Sequence, residues 1–64
     1  MYQDILYSVE DGIAILTINR PKVLNAIRLQ TYHDIIAALK ESDSNDQVKV
    51  MVITGAEGRF SAGN

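Results

Sequence analysis

Two short runs of apolar and β-branched residues lie close together near the start of the chain. Residues 5–9 read ILYSV and residues 13–19 read IAILTIN, with an Asp11-Gly12 pair between them. Because Asp-Gly between two apolar runs favours a tight turn, this pattern predicts a β-hairpin. Both alternating sets of side chains in the second run are largely apolar, which is typical of a strand covered on both faces.

A longer segment with helical periodicity follows the hairpin. Residues 19–26, NRPKVLNA, are irregular, because Pro21 lacks an amide donor and ends the strand. Apolar residues three and four positions apart then predict a helix with one buried stripe. The stripe consists of Leu29, Tyr32, Ile35, Ile36 and Leu39. We place the helix start between two competing N-terminal signals, Asn25 and the Thr31-x-x-Asp34 pattern.

The last third of the chain predicts one more strand. The polar residues 42–46, SDSND, end the helix, and residues 48–54, VKVMVIT, form a strand-like run followed by a glycine-containing turn at 55–58. The element order is therefore β-β-α-β, an α/β arrangement in which the helix joins two parallel strands. This helix covers one face of the sheet, and no predicted element covers the other.

Composition and charge exclude several classes of protein. The chain has 64 residues, of which 47% are hydrophobic, a formal net charge of −2 and no cysteine. These values argue against a disordered tail, a nucleic-acid-binding surface and a disulfide framework. No transmembrane run or signal peptide is visible, so we expect a cytoplasmic protein without membrane contact. A chain this short buries a small core, so it folds marginally, associates, or forms part of a larger protein.

The polar and glycine residues form no complete catalytic or metal-binding motif. Gly58 and Gly63 have the spacing of a phosphate-binding loop, but Asn64 stands where such a loop needs lysine. Ser61 lacks the glycine surround of a nucleophile elbow. His33 has no second ligand one helical turn away, so we expect no metal site.

The entrance to the helix is the segment best suited to bind a ligand. Asn25 and Ala26 lie where the irregular segment meets the helix. Backbone amides at a helix start lack intrahelical partners and can donate to an anion or to a polarised carbonyl. The small side chain of Ala26 leaves room for a ligand to approach its amide.

Four blocks of the chain carry a family resemblance. Residues 18–26 read INRPKVLNA, residues 46–55 read DQVKVMVITG and residues 60–63 read FSAG, and the opening VEDGIA at 9–14 fits the same pattern. In this order and at these distances they resemble the crotonase superfamily, the enoyl-CoA hydratase/isomerase family. The resemblance covers essentially the whole chain.

The resemblance implies an architecture larger than this chain. Family members build a spiral of ββα units, are several times longer, and assemble as trimers or as hexamers made of two trimers. Residues 1–64 are then the N-terminal portion of an acyl-CoA-binding domain, truncated after its first β-β-α-β elements. We therefore expect a homo-oligomer in the full-length form.

The resemblance also implies a substrate and a set of contact residues. The family acts on acyl-CoA thioesters, so coenzyme A is part of the substrate and no prosthetic group is expected. Two backbone amides form an oxyanion hole for the thioester carbonyl, and the Ala26 amide is our candidate for the first. By position, the coenzyme A contacts map to Val23, Leu24, Ala26, Ala62, Gly63 and Asn64.

The expected reaction is enoyl-CoA hydration, the addition of water to a 2-enoyl-CoA through an oxyanion-stabilised enolate, as in fatty acid metabolism. Isomerase, thioesterase, dehalogenase and ring-cleaving members of the family share the same blocks. The family's Asp after A-G-x, its second oxyanion amide and its acid-base residues lie beyond Asn64, so we expect the 64-residue chain to be inactive by itself. The alternative is a non-catalytic interaction module or remnant that self-associates through its uncovered sheet face.

Overall fold

The computed structural model describes residues 2–61 and contains three strands and one helix. The elements in chain order are β1 (Ile5–Glu10), β2 (Ile13–Ile18), α1 (Leu29–Ser44) and β3 (Val50–Gly55), with 3₁₀ turns at Pro21–Val23 and Ala56–Gly58. Each strand boundary lies within two residues of its predicted position, and the helix begins between the two competing start signals.

The sheet has the strand order β1-β2-β3. β1 and β2 are antiparallel, with Ile5 opposite Ile18, and β2 and β3 are parallel, with Leu16 opposite Ile53. The hairpin turn forms at Asp11 and Gly12, which both have positive φ angles, 52° and 81°. The predicted β-β-α-β order and the parallel pairing are confirmed.

The core lies between α1 and one face of the first two strands. Its fully or nearly fully buried apolar side chains are Ile5, Ala14, Leu16, Ile18 and Ala38. Tyr7, Ile27, Ile35 and Met51 are partly buried against them. The helix packs on β1 and β2, and no comparable packing joins it to β3 in the described part of the chain.

The opposite face of the sheet is apolar and exposed within residues 2–61. Its large apolar side chains, between 41% and 56% exposed, are Leu6, Ile13, Val50 and Val52. The sequence prediction of an uncovered sheet face is therefore confirmed for the described residues.

The predicted buried stripe of α1 is wrong. Four of the five predicted residues are between 42% and 71% exposed: Leu29, Tyr32, Ile36 and Leu39. The fifth, Ile35, packs against the core. The residues that α1 buries are Thr31, Asp34, Ala38 and Ser42. Ala38 allows a close approach to the sheet, and the three polar side chains have hydrogen-bond partners at residues 3–7 and 28–30, so their burial leaves no polar atom unpaired.

Candidate functional site

The candidate site lies where the two parallel strands end. β2 ends at Ile18 and β3 ends at Gly55, and these residues are paired across the sheet. The carboxyl ends of parallel strands form the edge at which α/β proteins commonly bind ligands. We call residues 19–28, which follow β2, the first loop, and residues 56–61, which follow β3, the second loop.

The first loop turns through two consecutive residues in the left-handed backbone region. Leu24 and Asn25 have φ angles of 57° and 58°. The turn is closed by backbone hydrogen bonds from the Leu24 amide to the Pro21 carbonyl, 3.1 Å, and from the Asn25 amide to the Arg20 carbonyl, 2.7 Å. Left-handed geometry is uncommon for a residue as large as leucine, so other contacts must hold this turn in place.

Asn25 supplies those contacts. Its side chain is fully buried. The Oδ1 atom accepts the Arg20 amide at 2.7 Å, and the Nδ2 group donates to the carbonyls of Ala56 at 3.0 Å and Arg59 at 2.7 Å. The Ser61 hydroxyl donates to the Asn25 carbonyl at 3.0 Å. We call these four hydrogen bonds the Asn25 bridge. Three of them join the first loop to the second, and the bond from the Arg20 amide orients the Asn25 side chain.

The Asn25 bridge was not predicted from the sequence, which offered Asn25 as a helix N-cap. The N-cap is instead Arg28, whose amide donates to the Thr31 hydroxyl at 3.2 Å. The sequence feature that could have indicated the bridge is the residue type, because asparagine tolerates positive φ and carries both a donor and an acceptor.

Gly55 allows the second loop to fold back onto the end of β3. A Cβ atom at this position would lie 1.7 Å from the Arg59 carbonyl oxygen and 2.5 Å from that of Phe60. Real Cβ atoms do not tolerate such distances, so glycine is needed here for space. The carbonyl that crowds Gly55 is the Arg59 carbonyl that accepts the shorter Nδ2 bond of Asn25.

The amide of Ala26, predicted as an oxyanion donor, has a partner within the first loop. It donates to the Val23 carbonyl at 3.0 Å, while the Ala26 carbonyl accepts Nη1 of Arg20 at 2.6 Å. A thioester carbonyl would have to replace Val23 as the acceptor. The oxyanion role of Ala26 stays a prediction.

The predicted coenzyme A contacts fall into two groups. Val23 and Leu24 are exposed on the first loop, and Ala26 is half-buried beside them. Ala62, Gly63 and Asn64 lie outside the described residues. Ser61, the last described residue, is hydrogen-bonded to Asn25, so the structure brings the chain position just before the second group onto the first loop.

An open cleft of about 390 Å³ runs along the first loop. It is lined by Asp4, Asn19, Arg20, Pro21, Lys22 and Val23. Two cationic side chains, Arg20 and Lys22, therefore lie on a surface that continues into exposed apolar residues. Such a surface suits a ligand with an anionic part and an apolar part.

A buried carboxylate fixes the first loop to the start of the helix. Asp4 is 3% exposed and accepts hydrogen bonds from Nε and Nη2 of Arg28, at 2.8 and 2.7 Å, and from the Thr31 hydroxyl at 2.8 Å. Its own carbonyl accepts the Asn19 amide at 2.8 Å. The hydrogen bonds from Arg28 lower the pKa of Asp4 to about 2, against the opposing effect of burial.

Asp34 connects α1 to the two residues that precede β1. Its Oδ2 atom accepts the amides of Gln3 at 2.9 Å and Asp4 at 2.7 Å. Burial raises the pKa of Asp34, but the hydrogen bonds from these amides and from Gln30 outweigh that effect and hold it below its ordinary value. The helix start, the residues just before β1 and the first loop are therefore one connected polar network.

The remaining polar candidates form no second site. His33 is exposed on α1. Among residues 2–61, no group of three His, Cys, Asp or Glu side chains is placed to hold a metal ion. The described part of the chain also contains no helix long and apolar enough to cross a membrane.

Comparison with known proteins identifies the family. The family model described as enoyl-CoA hydratase/isomerase matches residues 8–64. The chain is 48% identical over 60 residues to enoyl-CoA delta isomerase 2 of Rattus norvegicus, covering 94% of this chain and 15% of that protein. It is 42% identical over 52 residues to "Probable enoyl-CoA hydratase 1, peroxisomal" of Arabidopsis thaliana, covering 81% of this chain and 20% of that protein.

A solved structure shows the same backbone arrangement. An enoyl-CoA hydratase/isomerase from Xanthobacter autotrophicus Py2 superposes with a TM-score of 0.96 at 35% identity, over 98% of this chain and 23% of that one. The chain thus spans less than a quarter of the length of each of these three proteins. The family model and the similarity in sequence and fold agree with the motifs in residues 9–63, and the chain belongs to the enoyl-CoA hydratase/isomerase, or crotonase, family.

Proposed function

We propose that this chain contributes part of the substrate site of an enzyme that acts on enoyl-CoA thioesters. The observation that carries the proposal is the Asn25 bridge. It holds the loop with the first predicted coenzyme A contacts, Val23, Leu24 and Ala26, against Ser61, which precedes the second group at 62–64. The first group and Ser61 therefore meet at the carboxyl edge of β2 and β3.

The chemistry of the cleft supports coenzyme A as the recognised part of the substrate. Arg20 and Lys22 line it, and phosphate groups are well matched by such cations. The exposed side chains of Val23 and Leu24 offer apolar contact to the rest of the molecule. In this proposal coenzyme A arrives and leaves with the substrate.

The backbone of the first loop would then stabilise the thioester oxygen. We keep the Ala26 amide as the candidate donor, with the Val23 carbonyl as the partner it must give up. A preorganised amide that faces developing negative charge is a large source of rate enhancement in such reactions. Trimeric or hexameric assembly and a cytoplasmic location belong to the same proposal.

Binding can be tested directly on the chain. We expect coenzyme A to perturb the NMR amide signals of residues 20–26 and 59–61. Lys22→Gln should raise the Kd about two- to fivefold, because it removes one exposed charge contact. Lys40→Gln, an equal change on exposed helix surface, is the control and should leave Kd unchanged. No perturbation by millimolar coenzyme A would contradict the proposal.

The reaction itself has two candidates. The resemblance of the sequence motifs to the crotonase family favours hydration of a 2-enoyl-CoA. The 48% identity to a relative named enoyl-CoA delta isomerase supports isomerisation as the second candidate. The gene product isolated from its own cells should be given crotonyl-CoA and, separately, a 3-enoyl-CoA. A 3-hydroxyacyl product from crotonyl-CoA identifies a hydratase, whereas a 2-enoyl product from the 3-enoyl substrate identifies an isomerase.

The non-catalytic alternative rests on the exposed sheet face. Leu6, Ile13, Val50 and Val52 form an apolar surface that a second copy or another protein would cover. If the isolated gene product converts neither thioester and sediments as an oligomer of this 64-residue chain, the interaction module becomes the better account.

A further inference from the structure

We propose that Asn25 is a positioning residue that couples the two loops of the candidate site, and that Gly55 makes this coupling sterically possible. The consequence for ligand binding rests on the proposed function. The coupling itself is a property of the ligand-free chain and can be tested without coenzyme A.

The contacts of Asn25 extend from the first loop to the second. Its side chain donates twice to carbonyls 31 and 34 residues further along the chain, and its carbonyl accepts a hydroxyl 36 residues away. Both acceptors of the side chain are backbone atoms of the second loop. Displacing the first loop therefore breaks bonds that define the path of the second, which moves the two loops together.

Asn25 has no freedom to make these bonds in another way. The side chain is fully buried, and its Oδ1 atom is held by the Arg20 amide at 2.7 Å. That bond fixes the amide plane, so Nδ2 points at the second loop. Leaving a buried donor without its acceptors is unfavourable, so the second loop is held in the position that satisfies Nδ2.

Gly55 provides the space that this contact between the loops requires. The Arg59 carbonyl reaches Asn25 by passing over Gly55, at a distance no Cβ atom would permit. Gly58, three residues later, has open space around it and a φ of +78°. The two glycines therefore serve different purposes, since Gly55 provides room and Gly58 provides backbone freedom.

The absence of cysteine makes a distance measurement straightforward. Lys22→Cys and Glu57→Cys place spin labels on exposed positions, one in each loop. Electron-spin distance measurements on the ligand-free chain should give one narrow distribution. Asn25→Gly keeps the left-handed backbone and the carbonyl that accepts Ser61, but it removes the three side-chain bonds of the bridge and should broaden the distribution at least twofold. Asn45→Asp is the control. The Oδ1 atom of Asn45 accepts a hydrogen bond from the Gln47 amide, and aspartate retains this acceptor.

A second pair of variants tests the bridge by changing glycines at the end of β3 and in the second loop. Gly55→Ala should broaden the distribution as Asn25→Gly does, whereas Gly58→Ala should leave it narrow. Narrow distributions in both Asn25→Gly and Gly55→Ala would overturn the proposal. Circular dichroism at the same temperature checks that each variant is folded. Asn25→Asp keeps an acceptor for the Arg20 amide and loses both Nδ2 hydrogen bonds, so it replaces Asn25→Gly or Gly55→Ala if either does not fold.

The effect of the coupling on ligand binding is measured separately, by titration with coenzyme A. In the native chain, signals from both loops should titrate with one Kd for coenzyme A. In Asn25→Gly we expect at least tenfold weaker binding, with signals from the two loops no longer following one curve. If the native chain binds no coenzyme A, the proposed function fails while the distance measurement still decides the coupling. If Asn25→Gly binds with native affinity, the positioning role in the site is refuted.

Discussion

The two ends of the sheet use the same backbone geometry for different reasons. At the hairpin end, Asp11 and Gly12 have positive φ angles, and at the other end Leu24 and Asn25 do. Asp-Gly adopts this geometry at little cost, so the hairpin turn follows from its own two residues. Leucine adopts it at a cost of roughly 1–2 kcal/mol, so the turn in the first loop depends on contacts made elsewhere.

The difference shows where this small protein concentrates its specific interactions. At the hairpin end, the Gly12 carbonyl accepts the amides of Lys49 at 2.7 Å and Val50 at 3.3 Å, an ordinary backbone contact. At the loop end, the buried Asn25 side chain holds left-handed backbone in place, and the buried Asp4 side chain holds Arg28 and Thr31 at the start of the helix. Strain supported by dedicated side chains is a frequent property of ligand sites, and here it coincides with the edge proposed to bind coenzyme A.

The largest expected effect in this comparison comes from removing the Asp4 charge. Asp4→Asn weakens the two hydrogen bonds from Arg28, so we expect the free energy of unfolding at pH 7 to fall by about 2 kcal/mol. Urea denaturation measures this change. Asp43→Asn, on the exposed end of α1, is the control and should stay within about 0.5 kcal/mol of native. Equal effects for both variants would mean that Asp4 gives the loop end no special stability.

Acid should remove the part of this stabilisation that depends on the Asp4 charge. The pKa of Asp4 is lowered to about 2 in the folded chain and that of Asp34 is also lowered, so both carboxylates stabilise the fold above their ordinary pKa near 4. Their contribution is lost as the pH falls through the folded values. We expect about 1 kcal/mol from Asp4 after solvent screening of the half-exposed Arg28, disappearing between about pH 4 and pH 2.

Thermal unfolding across that pH range checks the assignment. Asp4→Asn should show a shallower fall in stability than the native chain, since it has one fewer carboxylate to protonate. Parallel curves for the two proteins would assign the acid sensitivity to other groups.

A smaller effect is expected at the hairpin end. Gly12→Ala places a Cβ 3.4 Å from the Gln47 carbonyl, an ordinary contact, so the expected cost of about 1 kcal/mol comes from the φ of +81°. Gly58→Ala, with a φ of +78° and open surroundings, should cost the same by chemical denaturation. A much larger cost for Gly12→Ala would show that the hairpin end also depends on its long-range contact.

The smallest effect is expected on the outer surface of α1, which belongs to neither end. Ile36 is 49% exposed, so Ile36→Gln should change the free energy of unfolding by less than about 0.5 kcal/mol. Ala38→Gln, two positions along on the buried side, provides the contrast and should destabilise by several times more. A loss above 1 kcal/mol in Ile36→Gln would indicate that this surface is covered in solution.

The strands, their order and the hairpin were predictable because their signals are local. Alternating apolar residues and an Asp-Gly pair fix these elements within about two residues. The family resemblance could also be identified from the sequence, because its blocks are short sequences in a fixed order.

The buried side of the helix was not predictable from hydrophobicity. Thr31, Asp34 and Ser42 are buried because partners on β1 and at the helix start satisfy them, and a sequence does not reveal such partners in advance. The Asn25 bridge was missed for a similar reason. Its acceptors are backbone carbonyls of Ala56 and Arg59, which every residue type possesses, so no side-chain pattern marks them.

The position of β3 has a practical consequence for anyone who handles this chain. β3 is paired with β2 on one side, and within residues 2–61 no strand is hydrogen-bonded to its other side. Its sequence, VMVITG, contains no charge and no proline, the features that usually protect an open edge from joining another strand. At high concentration, the edge of β3 is therefore the part of the described fold most exposed to intermolecular aggregation.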